Sequence, residues 1–106
     1  MKRGEIWWAD LEPARGREIR KVRPVVIMSA AGLVAARHTI VAIPLSTGPA
    51  PRPPVVVSVV SAGERSVAVC DQIRSLDRSR FLKQAGVMSA SDLLLVSEAL
   101  SAALDL

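Results

Sequence analysis

The chain has 106 residues, half of them apolar and 23% charged, with 14 Lys and Arg against 10 Asp and Glu for a net charge of +4. That length makes a single domain, residues 1–106, with a modest core, and the composition excludes a disordered tail. No apolar run approaches the ~20 residues needed to cross a bilayer, and the opening MKRGEIWWADLEP reaches Glu5 and Asp10 too early for a signal peptide, so a cytoplasmic protein with no membrane partner is expected.

In chain order, GEIWWADLEP opens with alternation that puts Ile6 and Trp8 on one side of a strand and Trp7 and Ala9 on the other, with Pro13 as its stop. ARGREIRK is a polar loop around Gly16. RPVVIMS is a second strand with Pro24 at its mouth, AAGLVAAR a loop with a turn of helix, and HTIVAIPLS a buried third strand. TGPAPRPP is a Pro-rich turn, VVVSVV a fourth strand, VAVCDQI a fifth, and DRSRFLKQAG a short helical turn ending at Gly86. The last segment, SASDLLLVSEALSAALDL, is a helix. Ser89 and Asp92 form a capping box at its start, and Leu93, Val96, Leu100 and Ala103 or Leu104 share one face. Five short strands and one helix predict a mostly β, strongly bent antiparallel barrel covered by a C-terminal helix.

The chemistry-bearing residues are few. One cysteine, Cys70, and one histidine, His38, exclude an internal disulfide and a Cys/His zinc site, and no P-loop, nucleophile elbow, dinucleotide fingerprint or HExxH motif occurs, so no metal or other cofactor is expected. Cations crowd into Ala14–Arg23, where Arg15, Arg17, Arg20, Lys21 and Arg23 face one acid, Glu18. A second group lies in Ile73–Lys83. Such clusters suit phosphate binding through counterion release, although a solvated basic surface has the same composition.

RGEIWWADLEPARGREIRKVRPVVI resembles the opening of the MazF/PemK toxins of bacterial type II toxin–antitoxin systems. VAIPLST is similar to that family's Val-Pro-Leu-Thr-Ser segment, and VAVCDQIRSLDRSRF to its Asp-Gln-Ile-Arg-Thr-Val-Asp-x-x-Arg segment. The resemblance implies an SH3-like barrel, a homodimer, a metal-independent endoribonuclease for single-stranded RNA, and a cognate acidic, MazE-like antitoxin whose extended segment covers the RNA groove. Carried over by position, it marks Arg23, Ser46 and Glu18 as catalytic candidates. Arg15, Arg17, Arg20, Lys21, Gln72 and Arg74 become RNA-binding candidates. The chain departs from that pattern where the family's Gly-Ser-Glu-Gln reads Gly16-Arg17-Glu18-Ile19 and where the TGPAPRPP loop between the third and fourth strands is short and proline-stiffened, and the family's usual threonine is Ser46.

The chemistry agrees with that assignment. RNA brings its own nucleophile, the 2′-OH, so a fixed guanidinium and a hydroxyl converging on one phosphodiester can stabilise the charge that builds on its oxygens. An arginine with a pKa above ~12 is a poor general base, which leaves Glu18 as the alternative for that duty. Taken without the motifs, Arg23 reads as a surface or ion-pair residue, Ser46 as a turn hydroxyl, Glu18 as a counter-charge to its neighbours, and His38 as a loop-edge residue. Asp71 reads as structural and Cys70 as a small core residue. One of Trp7 and Trp8 belongs to the core, and the other is open to base stacking or a dimer contact. Two other functions fit the same barrel: a gyrase poison of the CcdB type, which acts through its C-terminal helix, and a non-catalytic nucleic-acid-binding barrel.

Overall fold

In the computed structural model, which describes residues 1–106, seven strands and two helices follow in the order β1 (Glu5–Asp10), β2 (Val22–Ile27), α1 (Ala31–Ala36), β3 (Thr39–Ser46), β4 (Val56–Ser58), β5 (Val67–Val69), β6 (Arg74–Asp77), β7 (Phe81–Val87) and α2 (Ala90–Leu104). Every pairing is antiparallel, in the order β4-β5-β3-β2-β1-β7. The long strand β3 is shared: its first half pairs with β6 and its second half with β5. The sheet therefore bends sharply along β3 but does not close, because edge strands β4 and β7 are not hydrogen-bonded to each other. The 3₁₀ turn Val60–Ala62 packs beside β7 along that seam. No helix is long and apolar enough to cross a membrane.

The alternation in β1 sorts side chains into two cores. Ile6 joins Val26, Ile43, Leu45, Cys70, Met88, Val96 and Ala99 under helix α2, while Ala9 joins Leu11, Val25, Ile27, Ile40, Leu76 and Phe81 in the bend of the sheet. Trp7 packs against the second cluster, with its ring edge-on to Phe81 at 6.5 Å between centroids. Its indole N–H donates to Glu5 at 3.0 Å, and that bond holds the Glu5 carboxyl below its ordinary pKa. Trp8 takes the other face and is left half-buried at the seam. Gly4, just before β1, has φ +90°, and a Cβ there would sit 3.2 Å from the Leu93 side chain of α2, so the position favours a residue without one.

Several segments differ from the sequence-based expectation. AAGLVAAR forms a true helix, α1, with Gly32 in its first turn. VVVSVV keeps only three strand residues before turning as 3₁₀ helix, and VAVCDQI likewise becomes 3₁₀ at Cys70–Gln72. The expected helical turn over DRSRFLKQAG is limited to Arg78–Arg80, flanked by two further strands, β6 and β7. Strand β7 has one buried residue, Phe81, in seven. An edge strand with so few buried positions carries no clear alternation, and its pairing with β1 is what holds it extended.

The capping box is half as expected. Ser89 accepts from the Asp92 N–H at 3.2 Å, but the Asp92 carboxylate does not return the bond. It reaches instead to Ser61, accepting from the backbone N–H at 2.9 Å and from the hydroxyl at 2.6 Å, and Ser61 Oγ accepts from the Ser89 N–H. The expected helix face holds: Val96 is buried and Leu93 and Leu100 pack against the core, widened by buried Asp92 and Ala99, and of the two alternatives at its end Ala103 is half-buried while Leu104 is 50% exposed.

Cys70 is fully buried, and burial pushes its thiol up to about 11. The folded protein is expected to resist thiol-specific disulfide reagents at pH 8, where only about a thousandth of such a thiol is ionised. Denaturant should release one equivalent per chain, and fast labelling of the native protein would contradict the burial.

Candidate active-site cleft

Strand β2 begins where the 14–21 loop ends, and that loop is tied down at every turn. The Glu12 carboxylate accepts from the backbone N–H of Ala14 at 3.3 Å and of Lys21 at 3.0 Å, bracketing the loop from both ends. Glu18 accepts from the Arg15 N–H at 2.7 Å, and Gln72 accepts from the Ile19 N–H at 2.9 Å. Arg80 donates to the carbonyls of Asp10 and Glu12, and Arg74 to that of Leu11 at 3.4 Å. Lys21 is forced to φ 68°, a left-handed conformation costing a non-glycine residue of order 1 kcal/mol, and the Glu12 bond holds it there. The chain thus enters β2 in a fixed direction, with Arg23 at its second position.

Arg23 and Ser46 line one cavity of about 160 Å³, together with Trp8, Pro24, Leu45, Thr47 and Ser66. Strands β2 and β3 are neighbours, and their paired rungs begin at Val25–Pro44, so both residues project from adjacent strand ends just past the ladder. The backbone bonds of the two side chains leave useful atoms free. Arg23 Nε–H donates to the Arg20 carbonyl at 3.3 Å, which orients the guanidinium and leaves both terminal nitrogens available. Ser46 Oγ accepts from the Gly48 N–H at 3.3 Å, so a lone pair is occupied and the hydroxyl hydrogen remains to donate.

Glu18, Gln72 and Arg74 come together elsewhere. They line a separate cavity of about 280 Å³ with Leu11, Ile19, Pro44, Asp71 and Ile73. The side-chain oxygen of Gln72 accepts from the loop, one terminal nitrogen of Arg74 donates to the Leu11 carbonyl, and Glu18 caps the amide of Arg15, which leaves the Gln72 amide nitrogen and the other guanidinium nitrogens of Arg74 free. Arg15, Arg17, Arg20 and Lys21 line neither cavity. His38 is exposed and is bonded only through its carbonyl, by the Arg78 N–H.

Two cleft residues escaped the sequence reading. Thr47 follows Ser46 directly, and the hydroxyl pair was visible as such. Ser66 lies on the turn before β5 and is 8% exposed. It reaches the cleft because Gly63, at φ +145° with Ser66 Oγ 2.8 Å from the site of a Cβ, allows the chain to fold back tightly.

A bent antiparallel sheet with one helix across it, carrying a cation, hydroxyls and a tryptophan in a cleft at its seam, has the build of a protein that handles a phosphate-bearing polymer. Residues 2–104 match the family of PemK-like, MazF-like toxins of type II toxin–antitoxin systems, and the chain belongs to that family. It is 37% identical over 115 aligned positions to endoribonuclease MazF9 of Mycobacterium tuberculosis, covering 100% of this chain and 98% of that one. Among solved structures, MazF of Deinococcus radiodurans superposes with a TM-score of 0.87 at 28% identity, covering 100% of this chain and 97% of the other. A MazE–MazF structure from the same organism gives 0.80 at 27% identity, with 100% and 97% covered. The expected barrel-type fold with a C-terminal helix is therefore that of the MazF structures, built here from an open seven-stranded sheet.

Proposed function

We propose that this chain is the toxin of a toxin–antitoxin pair and an endoribonuclease that cuts single-stranded RNA in the cytoplasm, without a metal ion, as a homodimer held in check by an acidic, MazE-like antitoxin. The reading rests on its family membership and on its likeness to proteins named endoribonucleases and to a MazF solved with MazE. The observation that carries the mechanism is the shared cavity of Arg23 and Ser46, with their unspent donors.

The reaction is an internal transesterification. The 2′-oxygen attacks the adjacent phosphorus, the bond to the 5′-oxygen of the next nucleotide breaks, and the products are a 2′,3′-cyclic phosphate and a 5′-hydroxyl. Arg23 presents two terminal nitrogens to the non-bridging oxygens as negative charge accumulates there, and the Ser46 hydroxyl adds a third donor. Their positions are set before substrate arrives, so little reorganisation accompanies the reaction. No carboxylate or imidazole lines the cleft, so the residues there act on charge, while the 2′ proton is lost to solvent and the leaving oxygen gains one from it. Glu18, bound to the Arg15 amide, acts by closing the loop.

Incubating the purified protein with a long RNA in EDTA tests this reading. Fragments are expected whose 5′ ends accept phosphate from polynucleotide kinase without prior dephosphorylation. A 2′-deoxy substitution at the cut nucleotide should abolish the cut. Intact RNA with inhibited gyrase supercoiling would make the protein a gyrase poison, and a gel shift alone would make it a non-catalytic binder.

A further inference from the structure

Resting on the endoribonuclease reading, we propose that three cavities meeting at Thr47 form one continuous track for single-stranded RNA, with Lys83 and Arg65 as phosphate contacts on either side of the Arg23–Ser46 cleft. Thr47 lines all three cavities. The central one holds Arg23 and Ser46. A larger one, about 580 Å³, runs along the seam between β7 and the 60s turn and shares Trp8, Pro24 and Ser66 with the centre. The third, about 300 Å³, lies under the proline loop and ends at Arg65.

Each cavity contributes one cation: Lys83, Arg23 and Arg65 in turn. In the seam the cation stands beside an aromatic ring. Trp8 is paired across the sheet with Lys83 on one side and with Pro24 on the other, so the three form a single rung. Directly opposed residues of antiparallel strands share a face. An ammonium next to an indole suits a nucleotide, with phosphate on the one and base on the other. Glu64, the one carboxylate on the track, shares the third cavity with Arg65 and weakens that end. Of the basic run Ala14–Arg23 only Arg23 lines the track, and the cations of the 14–21 loop line none of the three cavities.

The test uses the full chain and a short RNA made uncleavable by a 2′-deoxy nucleotide at the cut site, with affinity measured across a range of salt. Lys83→Ala and Arg65→Ala are each expected to weaken binding several-fold at low salt and to reduce the slope of log affinity against log salt by about 0.7. Lys83→Arg should keep the slope, and Glu64→Gln should tighten binding. Arg37→Ala removes the same charge from the exposed end of α1, away from all three cavities, and should stay close to wild type. Thermal melts of each variant establish that it is folded. If Lys83→Ala and Arg65→Ala behave like Arg37→Ala while wild type cleaves RNA, the track is wrong and the nuclease reading stands. If wild type neither binds nor cleaves RNA, the nuclease reading itself falls.

Discussion

Arg23→Ala is expected to lower RNA cleavage by about 10²–10³-fold, which is the loss found when one preorganised donor to a developing oxyanion is removed. The fold should survive. Arg23 is exposed, and its single hydrogen bond, to the Arg20 carbonyl, contributes no more than about 1 kcal/mol. Arg23→Lys separates charge from geometry. It keeps the positive charge but loses the planar pair of donors, and should recover only part of the rate. Ser46→Ala should cost less, about tenfold or more, and Ser46→Thr should restore it because the donating hydroxyl is kept. Single-turnover cleavage of one defined RNA, alongside circular dichroism of each variant, makes the comparison. A folded Arg23→Ala variant at wild-type rate would remove Arg23 from the chemistry.

Asp92→Ala is expected to destabilise the protein by about 3 kcal/mol, a large fraction of the ~5–15 kcal/mol typical of a whole domain. Asp92 is 6% exposed and accepts both the N–H and the hydroxyl of Ser61. Removing the carboxylate strands those donors, and Ser61 also receives the Ser89 N–H at the start of α2. Asp92→Asn keeps one acceptor oxygen and should lose roughly half as much. Urea unfolding should show a lower midpoint at an unchanged slope. A change below about 0.5 kcal/mol would mean that the network carries no weight. Ser61 also walls the seam cavity, so the same variant should weaken RNA affinity more than any change at α1.

How far the sequence carried depended on whether a feature was local. The period-2 pattern of Ile6 to Ala9 assigned both faces of β1, since a strand alternates whatever it pairs with. Arg23 and Ser46 stood out only through the family resemblance, since alone they read as a surface cation and a turn hydroxyl; what brings them together is the pairing of β2 with β3, which sets their strand ends side by side. Strand β7 was hidden because exposed edge residues such as Lys83 and Gln84 take their conformation from a partner some 75 residues away, and β6 because its four residues carry one buried position, Leu76, and are set by pairing with β3. The Asp92–Ser61 bond was hidden for a similar reason: a local capping rule matched, but a distant turn offered the carboxylate two donors at once. Glu18 and the loop arginines drew attention as charge, whereas Glu18 and Gln72 are engaged with loop amides.

The unclosed sheet has a consequence of its own. The space inside the bent sheet is filled by its two apolar cores, so no strand passes through it. Here strands β4 and β7 never join, and Ser61, in the turn after β4, is bonded instead to Asp92 and Ser89 at the start of α2. A polymer of any length would therefore lie along the outside, in the open cavities beside that seam, where an interior position is reached as readily as an end.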